Sequence, residues 1–300
     1  MRTIVGLGET LWDLLPTGKQ LGGAPANFAF HAAQLGHRGV VASAVGRDPL
    51  GAELTGRFAE LGLTTEFVLE IEDRPTGTVL VELDAAGHPA YTIVEGVAWD
   101  AMPWNAAWAR LAGRTDAVCF GTLARRSPRS REAIERFLEA CSPRALAICD
   151  LNLRGRFFDE ALVRRSFELA RVVKLNQEEL WLVAPMLGLK PESEESAALA
   201  LRERYGLELI CLTRGAAGCL IVGREAAAAH PGFPVEVADT VGSGDAFTAA
   251  VAHHYLAGSP LAEIARAANR LGAFVATRPG ATPTLPEAVR AEVLGSTVHG

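Results

Sequence analysis

The stretch Asp239-Thr240-Val241-Gly242-Ser243-Gly244-Asp245-Ala246-Phe247 decides the reading of this 300-residue chain. It runs into an apolar segment, residues 245–257, that stops before Gly258, the pattern of a helix opened by a glycine-rich turn and closed by a glycine. In that turn Gly242, Ser243 and Gly244 can present successive backbone N–H groups to one concavity, where the helix dipole adds positive potential. Asp245 places a carboxylate where an anion would otherwise be expected. An anion cradle with a carboxylate at its edge suits phosphoryl transfer to a hydroxyl: the N–H groups stabilise the moving charge and the carboxylate accepts the proton. On these residues alone, a glycine-rich turn with Asp245 as a helix cap is the stronger reading.

Upstream of this helix, short β-rich runs alternate with longer amphipathic or alanine-rich stretches. Strands are predicted at residues 3–8, 39–45, 117–120, 145–150, 172–175 and 209–213, and helices at 24–36, 50–61, 130–141 and 193–205. Strand and helix in turn predict an α/β fold with a doubly wound, mainly parallel sheet flanked by helices. Two stretches break the rhythm. Residues 76–83 and 91–94 read as strands joined by the turn-like Asp84-Ala85-Ala86-Gly87, and residues 11–21 are too short and turn-rich for a helix. They predict a small β-sheet lid, residues 10–22 and 75–98, over a main domain of residues 1–9, 23–74 and 99–300.

Bulk properties exclude more than they assign. With 49% hydrophobic residues the chain can bury one large core, and 29 basic against 35 acidic residues leave a formal net charge of −6. That balance predicts no nucleic-acid or anionic-lipid surface. Cys119, Cys141, Cys149, Cys211 and Cys219 form no C-x-x-C pair, and four lie in apolar runs, as expected of reduced core residues. The N-terminus lacks a signal-peptide pattern and no segment approaches the roughly 20 apolar residues of a membrane span, so a cytoplasmic protein without membrane contact is expected.

The glycine-rich stretch D-T-V-G-S-G-D resembles the C-terminal signature of the ribokinase-like (PfkB) carbohydrate kinases. Gly22-Gly23-Ala24-Pro25-Ala26-Asn27, more than 200 residues upstream, resembles their G-G-x-x-x-N element. Between them, Asp150-Leu151-Asn152-Leu153-Arg154 resembles the D-x-N-x-R segment, Asn176-Gln177-Glu178-Glu179 the N-x-x-E segment, and Thr213-Arg214-Gly215-Ala216-Ala217-Gly218 the T-x-G-x-x-G segment. The resemblance covers essentially the whole chain and implies an ATP-dependent sugar kinase. It implies that Asp245 is the catalytic base, with Gly242, Ser243 and Gly244 as the anion hole and Arg154 sensing the transferred phosphate. Asp13, Gly23 and Asn27 would hold sugar hydroxyls. Thr213, Gly215 and Gly218 would border the nucleotide, with Asn269 near the adenine. Asn176 and Glu179 would support Mg2+ through its water shell. Asp239, Val241, Ala276 and Gly280 would surround a monovalent cation, K+.

The G-E-x-L-x-D start, the G-G-A-P-A-N-F-A helix and residues 96–100 resemble fructokinases, which makes fructose the first expectation, with 2-keto-3-deoxygluconate, ribose or a nucleoside as alternatives. Many fructokinases carry an arginine where Glu95 stands, so Glu95 is expected in the sugar site, where it would disfavour phosphorylated substrates. Alternating Val79, Val81, Tyr91 and Ile93 suggest a homodimer through the lid.

Each residue has a plainer reading. Asp13 could be a turn aspartate, Asn27 could bond neighbouring backbone, and N-x-x-E is also the shape of a capping box. Arg125, Arg126, Arg129 and Arg131 cluster around Ser127-Pro128, which reads as a solvated helix entry. Adjacent His253 and His254 lack metal-ligand spacing. Other classes fare worse: Gly6-Leu7-Gly8 lacks the third glycine of a dinucleotide fingerprint, with Leu11 in its place, and Gly18-Lys19 lacks the Walker pattern. A catalytically silent sugar sensor would not need Asp245 with its flanking glycines.

Overall fold

The apolar run Thr3–Leu7 (β1) has Val5 and Leu7 buried on one face and Ile4 on the other, so helices must cover both. The computed structural model describes residues 1–16, 18–83 and 89–295. In chain order β1 is followed by Leu11–Leu15 (β2), Gly18–Gly22 (β3), Ala24–Gln34 (α1), Arg38–Gly46 (β4), Pro49–Glu60 (α2), Val68–Ile71 (β5), Gly77–Leu83 (β6) and Pro89–Ile93 (β7). Next come Ala106–Ala112 (α3), Ala117–Phe120 (β8), Pro128–Ala140 (α4), Leu146–Asp150 (β9), Glu160–Leu169 (α5), Val172–Asn176 (β10), Gln177–Met186 (α6) and Glu194–Tyr205 (α7). The chain finishes with Leu209–Thr213 (β11), Cys219–Val222 (β12), Ala227–His230 (β13), Ser243–Ala257 (α8), Leu261–Ala276 (α9) and Glu287–Val293 (α10).

The main sheet has the order β13-β12-β11-β10-β9-β8-β1-β4-β5. From β11 to β5 neighbouring strands are parallel, whereas β12 and β13 add an antiparallel edge. Helices α3 to α7 cover one face, where Trp108, Phe137, Phe167, Leu180 and Leu201 are fully buried. Helices α1, α8, α9 and α10 cover the other with Phe28, Phe247, Leu271 and Val293. Burying one such large apolar side chain contributes about 1.5–3 kcal/mol, which makes these two layers the main source of stability. Helix α1 lies close to the sheet because Gly6 has no side chain: a Cβ there would sit 1.8 Å from the Pro25 carbonyl oxygen. The glycine that reads as half a dinucleotide fingerprint serves helix packing instead.

A second, four-stranded sheet has the order β3-β2-β6-β7. It unites the two predicted irregular stretches. Residues 11–15 and 18–22 pair antiparallel, β2 with β3, and β2 pairs in parallel with β6. The predicted turn at Asp84-Ala85-Ala86-Gly87 lies outside the described residues. Val79 and Val81 are buried with Leu11, and Ile93 packs against them. Of the set singled out for pairing with another copy, Val79, Val81 and Ile93 are therefore used within the chain, whereas Tyr91 is exposed, as is Leu80.

All five cysteines carry free thiols, four of them buried. Among the described residues no helix is long and apolar enough to cross a membrane.

Candidate active site

Strand order reverses beside β1, whose two neighbours are β4, which follows it in the chain, and the later β8. In open α/β sheets the crevice at the carboxyl ends of strands flanking such a reversal is the usual ligand position. Here Glu9 follows β1, Gly121 and Thr122 follow β8, and Asp150 and Asn152 mark the end of β9. With Asp245 and Thr248 of α8 they line one narrow recess. Asn152 adopts φ 41°, the left-handed region that a non-glycine residue enters only when its surroundings compel it.

Gly242 caps α8 with φ 78°, and a Cβ there would lie 2.6 Å from Cα of Ala281, so only glycine fits the turn against that loop. Buried His31 holds the loop from behind, its Nε2 lying 2.9 Å from the Ala281 carbonyl oxygen. Burial pushes the imidazole pKa down to about 4, so it is neutral and donates from Nε2. Asp245 thus occupies the third position of α8, in its first turn.

Asn27, buried on α1, donates from Nδ2 to Asp245 Oδ2 at 2.8 Å, while its Oδ1 has no partner among the described residues. A helix N-terminus predicts a depressed Asp245 pKa, but the structure reverses that expectation. Burial first, then the Asp150 carboxylate, raise it to about 6, against the Asn27 hydrogen bond and the Lys174 and Arg154 charges.

Two ionisable residues enter this site without having been singled out in the sequence. Lys174, in β10, donates from Nζ to Asp150 Oδ1 at 3.0 Å, and its Nζ would lie 3.0 Å from a Cβ at Gly244. Burial opposes its charge, but Asp150 and Glu179 outweigh that and its pKa stands above the ordinary value. The signal was a lysine inside the otherwise apolar run V-V-K-L. Thr248 Oγ1 donates to the other Asp150 oxygen at 3.1 Å. Glu9 is 4% exposed and its Oε2 has no partner among the described residues. Burial is the largest influence on its pKa, which rises to about 7 with a further push from Asp245.

The remaining predicted residues divide. Gly23 caps α1 with its carbonyl, and Asp13 on β2 has its pKa raised by burial against the opposing charge of exposed Arg154. Thr213 ends β11, and Gly215 and Gly218 bracket a single 3-10 turn into β12. Asn269 is buried on α9, its Nδ2 shared between the Ala265 carbonyl at 2.7 Å and Cys219 Sγ at 2.9 Å. Asn176 and Glu179 form the reciprocal capping box of α6, and Glu179 Oε1 also accepts from Leu153 N–H at 2.8 Å. With both oxygens holding backbone, Glu179 suits a hydrated Mg2+ ion through water rather than direct ligation. Among the described residues no group of three or more His, Cys, Asp or Glu side chains could hold a metal. Asp239, Val241, Ala276 and Gly280 are brought together: Asp239 accepts from Val241 N–H and Gly280 N–H, both at 3.0 Å, and its own N–H donates to the Ala276 carbonyl.

Glu95 is the exception. It does not line the Asp245 recess but a separate cavity of about 580 Å³, where its carboxylate pairs with Arg156. The same wall carries Arg74, Arg126, Arg129 and Arg131. Five arginines against Glu95, Asp100 and Asp159 leave an excess of two positive charges, so Glu95 does not make this wall repel phosphate. The reading of the arginine cluster as a solvated helix entry also needs correction. Arg125 is fully buried, donating to Ser166 and Glu135, and Arg126 is stacked over Trp99 and Phe157.

Comparison with known proteins gives one consistent picture. The family described as pfkB family carbohydrate kinase matches residues 15–288. A fructokinase of Vibrio alginolyticus is 30% identical over 93% of this chain and 94% of its own. An uncharacterized sugar kinase of Pyrococcus horikoshii superposes with a TM-score of 0.83 at 27% identity, over 98% of this chain and 97% of that one. A Xylella fastidiosa fructokinase with bound ATP shares the fold, with a TM-score of 0.84 at 23% identity over 98% of both chains.

Proposed function

This chain belongs to the pfkB family of carbohydrate kinases, and from that premise we propose that it transfers the terminal phosphoryl group of ATP to a hydroxyl of a small neutral sugar, fructose first among them. It is an ATP-dependent kinase; the sugar is the proposal. The observation that carries the reading is the first turn of α8, where Asp245 stands behind the Gly242-Ser243-Gly244 turn with Asn27 fixing one of its oxygens.

In this reading Asp245 orients the acceptor hydroxyl and takes its proton late, since phosphoryl transfer passes through a loose transition state. The N–H groups of Gly244 and Asp245 meet the charge on the moving phosphoryl group, that of Ser243 being held by the Thr240 carbonyl at 3.2 Å, with Lys174 alongside Gly244 and Arg154 at the mouth adding positive potential. Asn27 Oδ1 and Asp13 offer acceptors for further sugar hydroxyls, and Gly23 lets the chain turn between them. The small sheet acts as the lid over the sugar, residues 10–22 and 75–98 moving against the rest of the chain. Thr213, Gly215 and Gly218 border the nucleotide, with Asn269 behind them. Magnesium bound with the nucleotide would neutralise phosphate charge, reached by Glu179 through water. The paired loops at Asp239 and Gly280 are the position for a potassium ion. A second copy would meet the lid at Leu80 and Tyr91, and the free thiols suit a reducing cytoplasm.

A coupled assay of ADP release across neutral sugars, sugar acids and nucleosides tests the reading. Turnover with fructose at least tenfold above every other acceptor is expected; preference for a nucleoside or a sugar acid would replace fructose as the substrate.

A further inference from the structure

The arginine-walled cavity shares no lining residue with the Asp245 recess. At about 580 Å³ it lies within the roughly 300–1,000 Å³ of small-molecule sites. Helix α4 opens into it in an unusual state. Its N-cap, Ser127, makes no side-chain cap hydrogen bond, its first turn has no acidic residue, and Arg129 stands there, with Arg131 two positions further on. Helix N-termini carry positive partial charge and free N–H groups, so arginines there repel the helix unless an anion joins them. Among the described residues Arg129 and Arg131 form no ion pair.

An independent observation points to the same occupant. Arg126 is only 7% exposed, fixed by two bonds of 2.8 Å to Asp100 and by stacking on Trp99 and Phe157, yet its Nη1 has no partner among the described residues. The wall's carboxylates are already engaged: Asp100 by Arg126, Glu95 by Arg156, and Asp159 by the Leu162 N–H it caps. An anion therefore meets the guanidinium of exposed Arg129 and that of Arg131, whose Nε alone is spent, on the Arg125 carbonyl, rather than free carboxylates. Phe157 and Phe158 add apolar surface of the kind that a sugar ring covers.

We propose that this cavity binds a phosphomonoester of a small sugar, its phosphate at the α4 N-terminus among Arg126, Arg129 and Arg131 and its sugar against Phe157 and Phe158. Glu95 and Gly96, at the end of the small sheet, form the opposite wall, so a bound phosphate competes with Glu95 for Arg156 and bears on the position of that sheet. The site goes beyond the kinase reading and does not depend on which sugar is phosphorylated.

Calorimetric titration with fructose 6-phosphate, inorganic phosphate and fructose tests it on the full chain. Saturable binding of fructose 6-phosphate is expected to persist when saturating fructose fills the Asp245 recess, with inorganic phosphate at least tenfold weaker. The double variant Arg129→Glu/Arg156→Glu, both exposed positions, should weaken binding at least tenfold with an unchanged melting temperature. A control reversal of the same charge elsewhere, Arg110→Glu/Arg114→Glu, should stay within twofold. Absence of saturable binding, inorganic phosphate binding as tightly as the sugar phosphate, or equal losses in the two double variants would each overturn the site. Failure of every neutral sugar in the ADP-release assay would remove the substrate reading and leave this titration intact.

Discussion

Asn27 and Asp245 stand 218 positions apart in the chain, yet the Asn27 amide donates to Asp245 Oδ2 at 2.8 Å and ties helix α1 to helix α8. The bond leaves the other Asp245 oxygen to face the recess. Asp245→Asn keeps the shape and one acceptor but cannot take a proton. Loss of a general base costs about 10² to 10⁴ in rate. A fall in kcat of that size is expected, with KM for ATP within about threefold and an unaltered melting temperature. Steady-state kinetics on the preferred sugar would refute this by showing near-parental turnover.

Asp245 acts as a base only when ionised, and its pKa is about 6. Turnover should climb as pH rises through about 6 and then level off. A pH–kcat profile measured between pH 5 and 8 with saturating ATP checks the limb, which should be missing from the residual activity of Asp245→Asn.

Glu9 governs stability with the opposite sign of pH dependence from most carboxylates. Its folded pKa, about 7, lies above its ordinary 4.5, so the folded state holds the proton more tightly than the unfolded chain. The stability this contributes is complete below 4.5 and is lost as pH rises through 7; the difference amounts to roughly 3 kcal/mol. Glu9→Gln should therefore raise the melting temperature at pH 8, and the gain should shrink as pH falls, disappearing near pH 4.5. An equal gain at both ends would refute the buried-carboxylate account.

Lys174 and Asp150 form a buried pair at 3.0 Å, side chains 12% and 5% exposed. Removing one partner strands the other's charge, at a cost of about 3–5 kcal/mol. Lys174→Met should lose that much in urea unfolding, and Asp150→Asn added to it should restore part of the loss. No recovery in the double variant would mean that packing, not charge, sets the cost.

Gly242→Ala forces φ 78° on a residue with a side chain and drives its Cβ into Ala281. A stability loss of about 1–3 kcal/mol is expected from the backbone strain, and displacement of the Asp245 turn should lower kcat. Differential scanning calorimetry and kinetics on the same preparation would show both effects together or contradict the account.

Much of the fold was legible where local pattern and tertiary demand agree. Residues 117–120 and 209–213 are strands to the residue, because A-V-C-F and L-I-C-L-T are apolar on both faces as a covered parallel sheet requires. Strand β13 was missed because it lies in A-A-A-H, whose alanines favour helix; pairing with β12 overrides that preference. In the site, the glycine turns, Asn27 and Asp245 could be read from motifs. Glu9 and Lys174 could not be weighed from the sequence, since their roles depend on which strand ends share the recess. Glu95 was misjudged for the same reason: Arg156 and Arg126, at distant positions in the chain, decide the charge around it.

The parallel pairing of β2 with β6, Leu11 opposite Gly77, closes a loop of about 66 residues that contains α1, β4, α2 and β5. Closing such a ladder gives up backbone freedom, and the apolar cluster that rewards it is small, Leu11, Val79 and Val81, against the two large layers that hold β1. The small sheet is thus set to release first. Amide protons of Leu11–Leu15 should exchange with solvent well before those of β1 next door, so this sheet can peel away while the nine-strand core stays closed.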